Sequence, residues 1–141
     1  MPLEAIVYCS RVATGTTVDQ IDWLVRDAAS HNLIAGVTGV LFCDGFSYLQ
    51  YIEGPEDGIA VIYARILNAS SHTAVEELGR GYGGPRRFPY WSMRWLALEQ
   101  IDLRIAKASN WRGLEQSGEE AMFQVPTGID RIATLVRPHL N

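Results

Sequence analysis

Residues 46–52 read Phe-Ser-Tyr-Leu-Gln-Tyr-Ile, a run of aromatic and aliphatic side chains with one amide, Gln50, near its centre. This composition is typical of a buried β-strand. A buried amide without hydrogen-bond partners costs about 1–3 kcal/mol. We therefore expect Gln50 to have a polar partner in the core, and Tyr8 and Asn32 are the other polar residues in apolar surroundings. Together they would form a neutral polar pocket for a flat heteroaromatic ligand.

The residues before this run predict a β-hairpin. Residues 35–43 read as a strand, and Asp44-Gly45 is a strong signal for a two-residue turn. Counting outward from that turn pairs Gly39 with Gln50. Because glycine has no side chain, this pairing would leave space for a ligand beside the Gln50 amide.

The other elements follow in a regular order. Thr17 and Gln20 form a capping box that begins a first helix, and Pro55 is predicted at the first position of a second. Further strands are predicted at residues 3–9, 73–78 and 91–97. The order βαββαββ predicts an α+β fold, a ferredoxin-like sandwich with both helices on one face of a mostly antiparallel sheet.

Residues 98–141 differ in pattern and are predicted to form a helical cap on a domain made of residues 1–97. Apolar stripes indicate two amphipathic helices, with inward positions at Ile101, Ile105, Ile129, Ile132 and Val136. A sheet with helices on one face leaves its other face open. We expect this segment to cover that face and to carry the output signal.

Composition restricts the function. The chain has 141 residues, a net charge of −4 and no basic stretch beyond Arg86-Arg87, which argues against a nucleic-acid partner. It has no apolar run of transmembrane length and no basic secretory leader, so we expect a cytoplasmic protein without a membrane partner. Cys9 and Cys43 lie in predicted strands and are expected to be buried free thiols.

Motifs for catalysis are absent from the sequence. It contains no Gly-x-Gly-x-x-Gly, no phosphate loop and no Gly-x-Ser-x-Gly elbow. His31, His72 and His139 are scattered without metal-ligand spacing, so we expect surface or helix-end histidines and no metal. His31, beside Asn32, is the one placed to touch a ligand. The sequence therefore does not favour an enzyme.

Five stretches in this order resemble the BLUF family, the blue-light sensors that use FAD. They are Ile6-Val7-Tyr8-Cys9-Ser10, Asn32, residues 36–41, residues 46–55 and Phe88-Pro89-Tyr90-Trp91-Ser92-Met93. The most specific features are the strand glutamine before Glu-Gly-Pro and the Trp-Ser-Met of the closing strand. The resemblance covers residues 3–97 and implies a ferredoxin-like fold that holds the isoalloxazine between its two helices.

The resemblance also implies roles for the polar residues. Tyr8 would donate an electron in the light, and Gln50 would relay a proton between Tyr8 and the flavin. Asn32 would hold the C4 carbonyl edge of the ring. His31 and Arg65 would lie near its other polar edge.

Three apolar or weakly polar residues complete the implied site. Leu24 would be a further flavin contact, and Trp91 and Met93 would lie beside Gln50 and transmit its rearrangement to the sheet. Only one of these two residues can face the flavin at a time, and the sequence leaves open which one does. Ala28 stands where many relatives have serine, and Ala69 and Ser71 stand where some carry polar or charged residues. FAD is the expected cofactor, with FMN and riboflavin as alternatives.

Three functions remain open at this point. The first is a blue-light photoreceptor that signals, alone or as a homodimer, to an unknown separate protein. The second is a flavin-dependent redox enzyme, and the third is a ligand-free interaction protein. A reversible light-induced spectral shift without substrate would distinguish the first from the other two.

Overall fold

The structure is a computed structural model that describes residues 3–111, 114 and 127–140. The described residues form five strands and four α-helices. The strands are β1 (Leu3–Val12), β2 (Thr38–Cys43), β3 (Ser47–Pro55), β4 (His72–Tyr82) and β5 (Trp95–Ala97). The helices are α1 (Val18–Ala35), α2 (Glu56–Leu67), α3 (Gln100–Lys107) and α4 (Gly128–Val136), followed by a short 3-10 helix, Arg137–His139.

The five strands form one sheet in the order β4-β1-β3-β2-β5. The first four pair antiparallel with their neighbours, whereas β5 runs parallel to β2. β1 and β3 are therefore interior strands that lie side by side. The predicted βαββαββ order and the α+β fold class are confirmed.

The two long helices begin as their sequences indicate, with one small difference. The Thr17 side chain caps α1 by accepting from Gln20 N–H, and the Gln20 side chain accepts from Thr17 N–H at 2.8 Å. Pro55 precedes α2 as its N-cap instead of occupying its first turn. α1 ends at Gly36, whose φ of 75° suits glycine.

The β2–β3 hairpin has a different register from the predicted one. Leu41, not Gly39, lies opposite Gln50, so residues 44–47 form a four-residue connection. The Asp44 carboxylate accepts from two backbone N–H groups within it, at 2.8 and 2.7 Å, which stabilises the longer turn. Because side chains alternate with a period of two, a shift of two residues leaves each of them on its predicted face.

The prediction that Gly39 leaves space beside Gln50 is therefore wrong. Gly39 lies opposite Ile52, and a Cβ atom there would be 2.0 Å from the carbonyl oxygen of Tyr51. The glycine allows two backbones to approach closely and does not open a cavity.

The closing strand β5 is shorter than predicted because the segment before it is irregular. Gly39 N–H donates to the carbonyl of Trp91 at 3.1 Å. Two residues further along β2, Leu41 N–H donates to the carbonyl of Arg94 at 2.9 Å. The acceptors are three residues apart and the donors two, so this segment contains one extra residue, as in a β-bulge.

The two faces of the sheet bury separate apolar clusters. The cavity cluster, beneath α1 and α2, consists of Ile6, Ile21, Val25, Val37, Leu41, Cys43, Tyr48, Ile52, Ile59, Ile62 and Met93. The cap cluster, on the other face, consists of Ala5, Val7, Cys9, Val40, Phe42, Leu49, Tyr51, Phe88, Leu96, Leu103, Ala106, Trp111, Leu114, Ile132 and Val136. Both cysteines are free and buried, as predicted.

The C-terminal helices cover the second face, but α3 presents a different stripe from the predicted one. Leu103 and Ala106 are buried against the sheet, whereas Ile101 and Ile105 are 58% and 43% exposed. Ile132 of α4 is fully buried, as predicted. The division of the chain into a domain and a cap at residue 97 stays a prediction.

The described helices lack the features of membrane spans. Over the part of the chain that the structure describes, no helix combines the length and the apolar character needed to cross a bilayer.

The orientation of α3 can be tested with two substitutions on the same helix. Leu103→Ala should reduce the free energy of unfolding by about 2–5 kcal/mol, because it leaves a cavity in the cap cluster. Ile101→Ala should change it by less than about 0.5 kcal/mol, because that side chain is largely in solvent. Urea denaturation of both variants measures the difference, and equal losses would contradict the observed orientation.

Candidate functional site

A cavity of about 140 Å³ opens between α1 and α2, above the interior strands. Its floor is made by Tyr8 of β1 and by Tyr48 and Gln50 of β3. The remaining walls are formed by Ile21, Leu24, Val25, Asp27, Ala28, His31, Asn32, Leu41, Ile62, Arg65, Ile66, Ala69, Ser71, His72 and Met93. Each residue predicted to touch a flavin lines this cavity.

Tyr8 and Gln50 meet on the cavity floor because β1 and β3 pair in a register that places them opposite each other. The Tyr8 hydroxyl donates to Gln50 Oε1, and Gln50 Nε2 donates to the sulphur of Met93 at 3.4 Å. Both ends of the Gln50 amide thus have partners, as its burial demands. The two hydrogen bonds differ in strength, since the thioether of Met93 is a weak acceptor.

The environment of Tyr8 keeps its hydroxyl protonated. Burial raises the pKa of the phenol far above its ordinary value, and the neighbouring Tyr63 and Tyr48 raise it further. Tyr8 is therefore a neutral donor whose proton is directed at an amide oxygen.

Asn32 supplies a second amide at one end of the cavity. It lies near the C-terminal end of α1, is 2% exposed, and donates from Nδ2 to the carbonyl of Ser92 at 2.7 Å. This hydrogen bond ties the helix to the irregular segment before β5. The amide oxygen and remaining N–H of Asn32 can pair with a ligand edge that carries one acceptor and one donor.

The mouth of the cavity carries charged residues. The Asp27 side chain lies 3.4 Å from the guanidinium of Arg65 and 3.8 Å from Nδ1 of His31. These three side chains are 40–48% exposed, so their mutual attraction is weakened by solvent. Leu24 adds an apolar side chain to the same wall.

Trp91 lies away from the cavity. It packs against the cap cluster, and the guanidinium of Arg94 stands 4.9 Å from its ring centroid. The extra residue before β5 breaks the alternation that would place Trp91 and Met93 on the same face. The expectation that Trp91 lies beside Gln50 is wrong for this structure, in which Met93 occupies that position.

Two buried polar residues of the site were not identified from the sequence. His72 is buried and lies between Ser10 Oγ and the carbonyl of Ile66, each 2.7 Å from one ring nitrogen. Because a carbonyl can only accept, Nε2 carries a proton, and Nδ1 pairs with the Ser10 hydroxyl. The expectation of a surface or helix-end histidine is wrong at position 72, since the strand pairing that buries it joins distant residues.

Tyr48 is the second residue. It is 5% exposed, and its hydroxyl has no hydrogen-bond partner among the residues that the structure describes. Burial, and secondarily Cys43, raises the pKa of this phenol to about 12. Its position two residues before Gln50 on the same strand face was the available signal in the sequence.

A buried carboxylate holds the loop that leads to Met93. Glu53 is 2% exposed and accepts from the backbone N–H groups of Arg87 and Phe88 at 3.0 and 2.6 Å. The Arg86 guanidinium donates to the carbonyl of Gly36 at 2.7 Å. These bonds attach the loop to both strands of the hairpin at its open end, so the position of Met93 depends on β3.

The cavity suits a flat ring with polar edges. Its faces are aliphatic, from Val25 of α1 and Ile62 of α2, and its amides lie at the edges. A neutral imide-like edge matches the donors and acceptors of the two amides. The unpartnered hydroxyl of Tyr48 also indicates that the site is completed by a further group. The residues present therefore fit an isoalloxazine.

Comparison with known proteins agrees with the fit of the cavity to an isoalloxazine. Residues 3–94 match the family described as BLUF, Sensors of blue-light using FAD. A relative from Escherichia coli (strain K12), the blue light- and temperature-regulated antirepressor BluF, is 32% identical over 103 residues. That match covers 73% of this chain but only 24% of the relative, so the chain spans about a quarter of the relative's length.

Solved structures show the same fold. The dark-state structure of BlrB, a BLUF protein, is 27% identical with a TM-score of 0.71, and the match covers 94% of this chain and 96% of BlrB. Klebsiella pneumoniae BlrP1 with FMN and cyclic diGMP is 35% identical with a TM-score of 0.62. That match covers 67% of this chain and 25% of BlrP1.

Removing the hydroxyl group should change the free energy of unfolding in opposite directions at two tyrosines of β3. Tyr48→Phe removes an unpaired buried group and should raise the free energy of unfolding of the unliganded protein by up to about 1–3 kcal/mol. Tyr51→Phe removes the donor to Glu53 Oε1, 3.1 Å away, and should lower it by about 0.5–1.5 kcal/mol or more. Urea unfolding compares the two, and a destabilised Tyr48→Phe variant would show that its hydroxyl has a protein partner.

Proposed function

Since the chain belongs to the BLUF family of flavin-binding blue-light sensors, we propose that it is a photoreceptor domain in which FAD drives a rearrangement of Tyr8 and Gln50. The observation that carries the proposal is the buried contact between a neutral phenol and an amide on the floor of the cavity. Asn32 would hold one polar edge of the ring, and His31 and Arg65 would lie near the other. Leu24 would contact the ring from α1.

The first proposed step is the transfer of an electron and a proton from Tyr8. A flavin held in the cavity would supply the absorption of blue light and the electron acceptor, and Tyr8 is the phenol placed to donate an electron to it. An oxidised phenol is a strong acid, and the Tyr8 proton already points at Gln50 Oε1. Gln50 would take that proton on oxygen and release one from nitrogen to the bound flavin, so the amide gains one proton and loses one, and the electron and the proton of Tyr8 would reach the same acceptor.

The second step changes how Gln50 is hydrogen-bonded. In the observed state its oxygen faces Tyr8 and its nitrogen faces Met93. A rotation of the amide, or an exchange of tautomers, reverses its donor and acceptor ends. The reversal replaces the bond from the Tyr8 hydroxyl to Gln50 Oε1 with one in which the amide donates to the Tyr8 oxygen, and the contact given up at the sulphur is weak, so the two arrangements can lie close in energy. Return of the electron and proton to Tyr8 leaves no net chemical change.

The rearrangement can then reach the far side of the sheet. Met93 loses its amide donor when Gln50 reverses, and Met93 is one residue from Ser92, which is bonded to Asn32. Residues 91–94 are bonded to β2 and continue into β5, whose Leu96 belongs to the cap cluster. We propose that a shift of this segment alters the packing of α3 and α4. Trp91, at the boundary with the cap cluster, would take part by moving with the segment.

The output is proposed to be a protein contact and not catalysis by this domain. The related protein named above is an antirepressor, and another relative of similar fold is a light-regulated adenylyl cyclase. We propose that this domain likewise controls a partner protein, alone or as a homodimer. Its two buried free thiols suit the reducing cytoplasm.

Tyr8→Phe tests the electron and proton donor. We expect the variant to bind flavin but to lose the light-induced red shift, because only the reacting oxygen is removed. Tyr63→Phe is the matched control, since that ring lies 6.2 Å from Tyr8 but does not line the cavity. A light-minus-dark absorption spectrum makes the comparison, and an intact shift in Tyr8→Phe would remove Tyr8 from the mechanism.

Gln50→Leu tests the relay. Leucine has nearly the same volume and neither hydrogen-bonding end, so the variant should stay folded and yellow without a dark-reversible shift. Gln100→Leu, on the exposed start of α3, is the matched control and should retain the wild-type shift. The relay is ruled out if the Gln50→Leu variant cycles normally under the same illumination.

A further inference from the structure

A second groove, of about 430 Å³, adjoins the cavity. It is lined by Thr16, Asp19, Gln20, Trp23, Leu24 and Ser71. Leu24 and Ser71 also line the cavity, so the two spaces are adjacent at this point. A ligand whose ring fills the cavity needs to pass only these two side chains to extend into the groove.

The groove is dominated by one exposed aromatic side chain. Trp23 lies in α1 and is 64% exposed. A helical side chain leans towards the N-terminus of its helix, which places Trp23 above the turn that carries Asp19 and Gln20. This turn is fixed by the capping box of α1, so the indole stands over a rigid base.

On the basis of the proposed function, we infer that this groove binds the adenosine half of FAD, with the adenine stacked on Trp23. The occupant has to be attached to the ring in the cavity, because the groove adjoins the cavity at Leu24 and Ser71. Of the groups that a flavin cofactor carries beyond its ring, only adenine offers a flat face to an indole. Stacking of a nucleobase on an aromatic side chain contributes about 1–3 kcal/mol.

The polar groups of the groove suit a neutral nucleoside better than a phosphate. The Asp19 carboxylate can accept from a ribose hydroxyl or from the exocyclic amine of adenine, and it would repel a phosphate placed next to it. Thr16 and Ser71 offer hydroxyl groups. The pyrophosphate would then cross at the junction beside Ser71, where it can stay in contact with water.

The test measures the affinity of the full chain for three ligands: riboflavin, FMN and FAD. Titration of the flavin-free protein gives a dissociation constant for each by fluorescence. We expect the wild type to bind FAD more tightly than FMN by about five-fold or more. Trp23→Ala should remove this preference and leave the FMN and riboflavin constants within about two-fold of wild type. Trp23→Phe should keep most of the preference because it retains a flat ring.

A control separates stacking from general effects on the helix. Leu33→Ala changes another exposed residue of α1, 73% exposed and outside both spaces, and should leave all three constants unchanged. Equal affinities of the wild type for FMN and FAD, or a preference that survives in Trp23→Ala, would overturn the assignment of the groove. Failure of the wild type to bind any of the three ligands would instead overturn the proposed function.

Discussion

The hydrogen bond between Tyr8 and Gln50 is the interaction on which the site depends. It joins two of the three interior strands of the sheet, β1 and β3, at a position where both side chains are buried. Burial holds the phenol neutral and aligned with the amide oxygen. A polar pair of this kind is tolerated in a core only when both members are satisfied, and the thioether of Met93 completes the arrangement.

The weakness of the contact between Gln50 and Met93 is as important as the strength of the contact with Tyr8. A bistable amide needs one end that can be released cheaply, and a sulphur acceptor provides it. Around this weak point the structure is firmly tied, by the Glu53 carboxylate on one side and by the Asn32–Ser92 bond on the other. These bonds support the proposed route of a change at Gln50 through the segment that carries Met93.

The same sheet separates the cavity from the surface proposed to carry the output. Its cavity face holds the polar residues, and its other face is covered by α3 and α4 over an apolar cluster. Strand alternation makes this division possible, since successive residues of β3 contribute to opposite faces. Gln50 and Tyr51 are neighbours in the chain, yet one borders the ligand cavity and the other packs beneath the cap.

The sequence by itself determined the order of elements, the capping box of α1, the burial of Tyr8, Asn32 and Gln50, and the resemblance that led to the flavin, because these depend on local pattern and residue type. It did not determine the hairpin register, since the Asp44 side chain stabilises a turn longer than Asp-Gly alone indicates. The orientations of Trp91 and α3 also required the tertiary structure. An extra residue before β5 and the packing of Leu103 on the sheet decided them, and both involve partners that are distant in the chain.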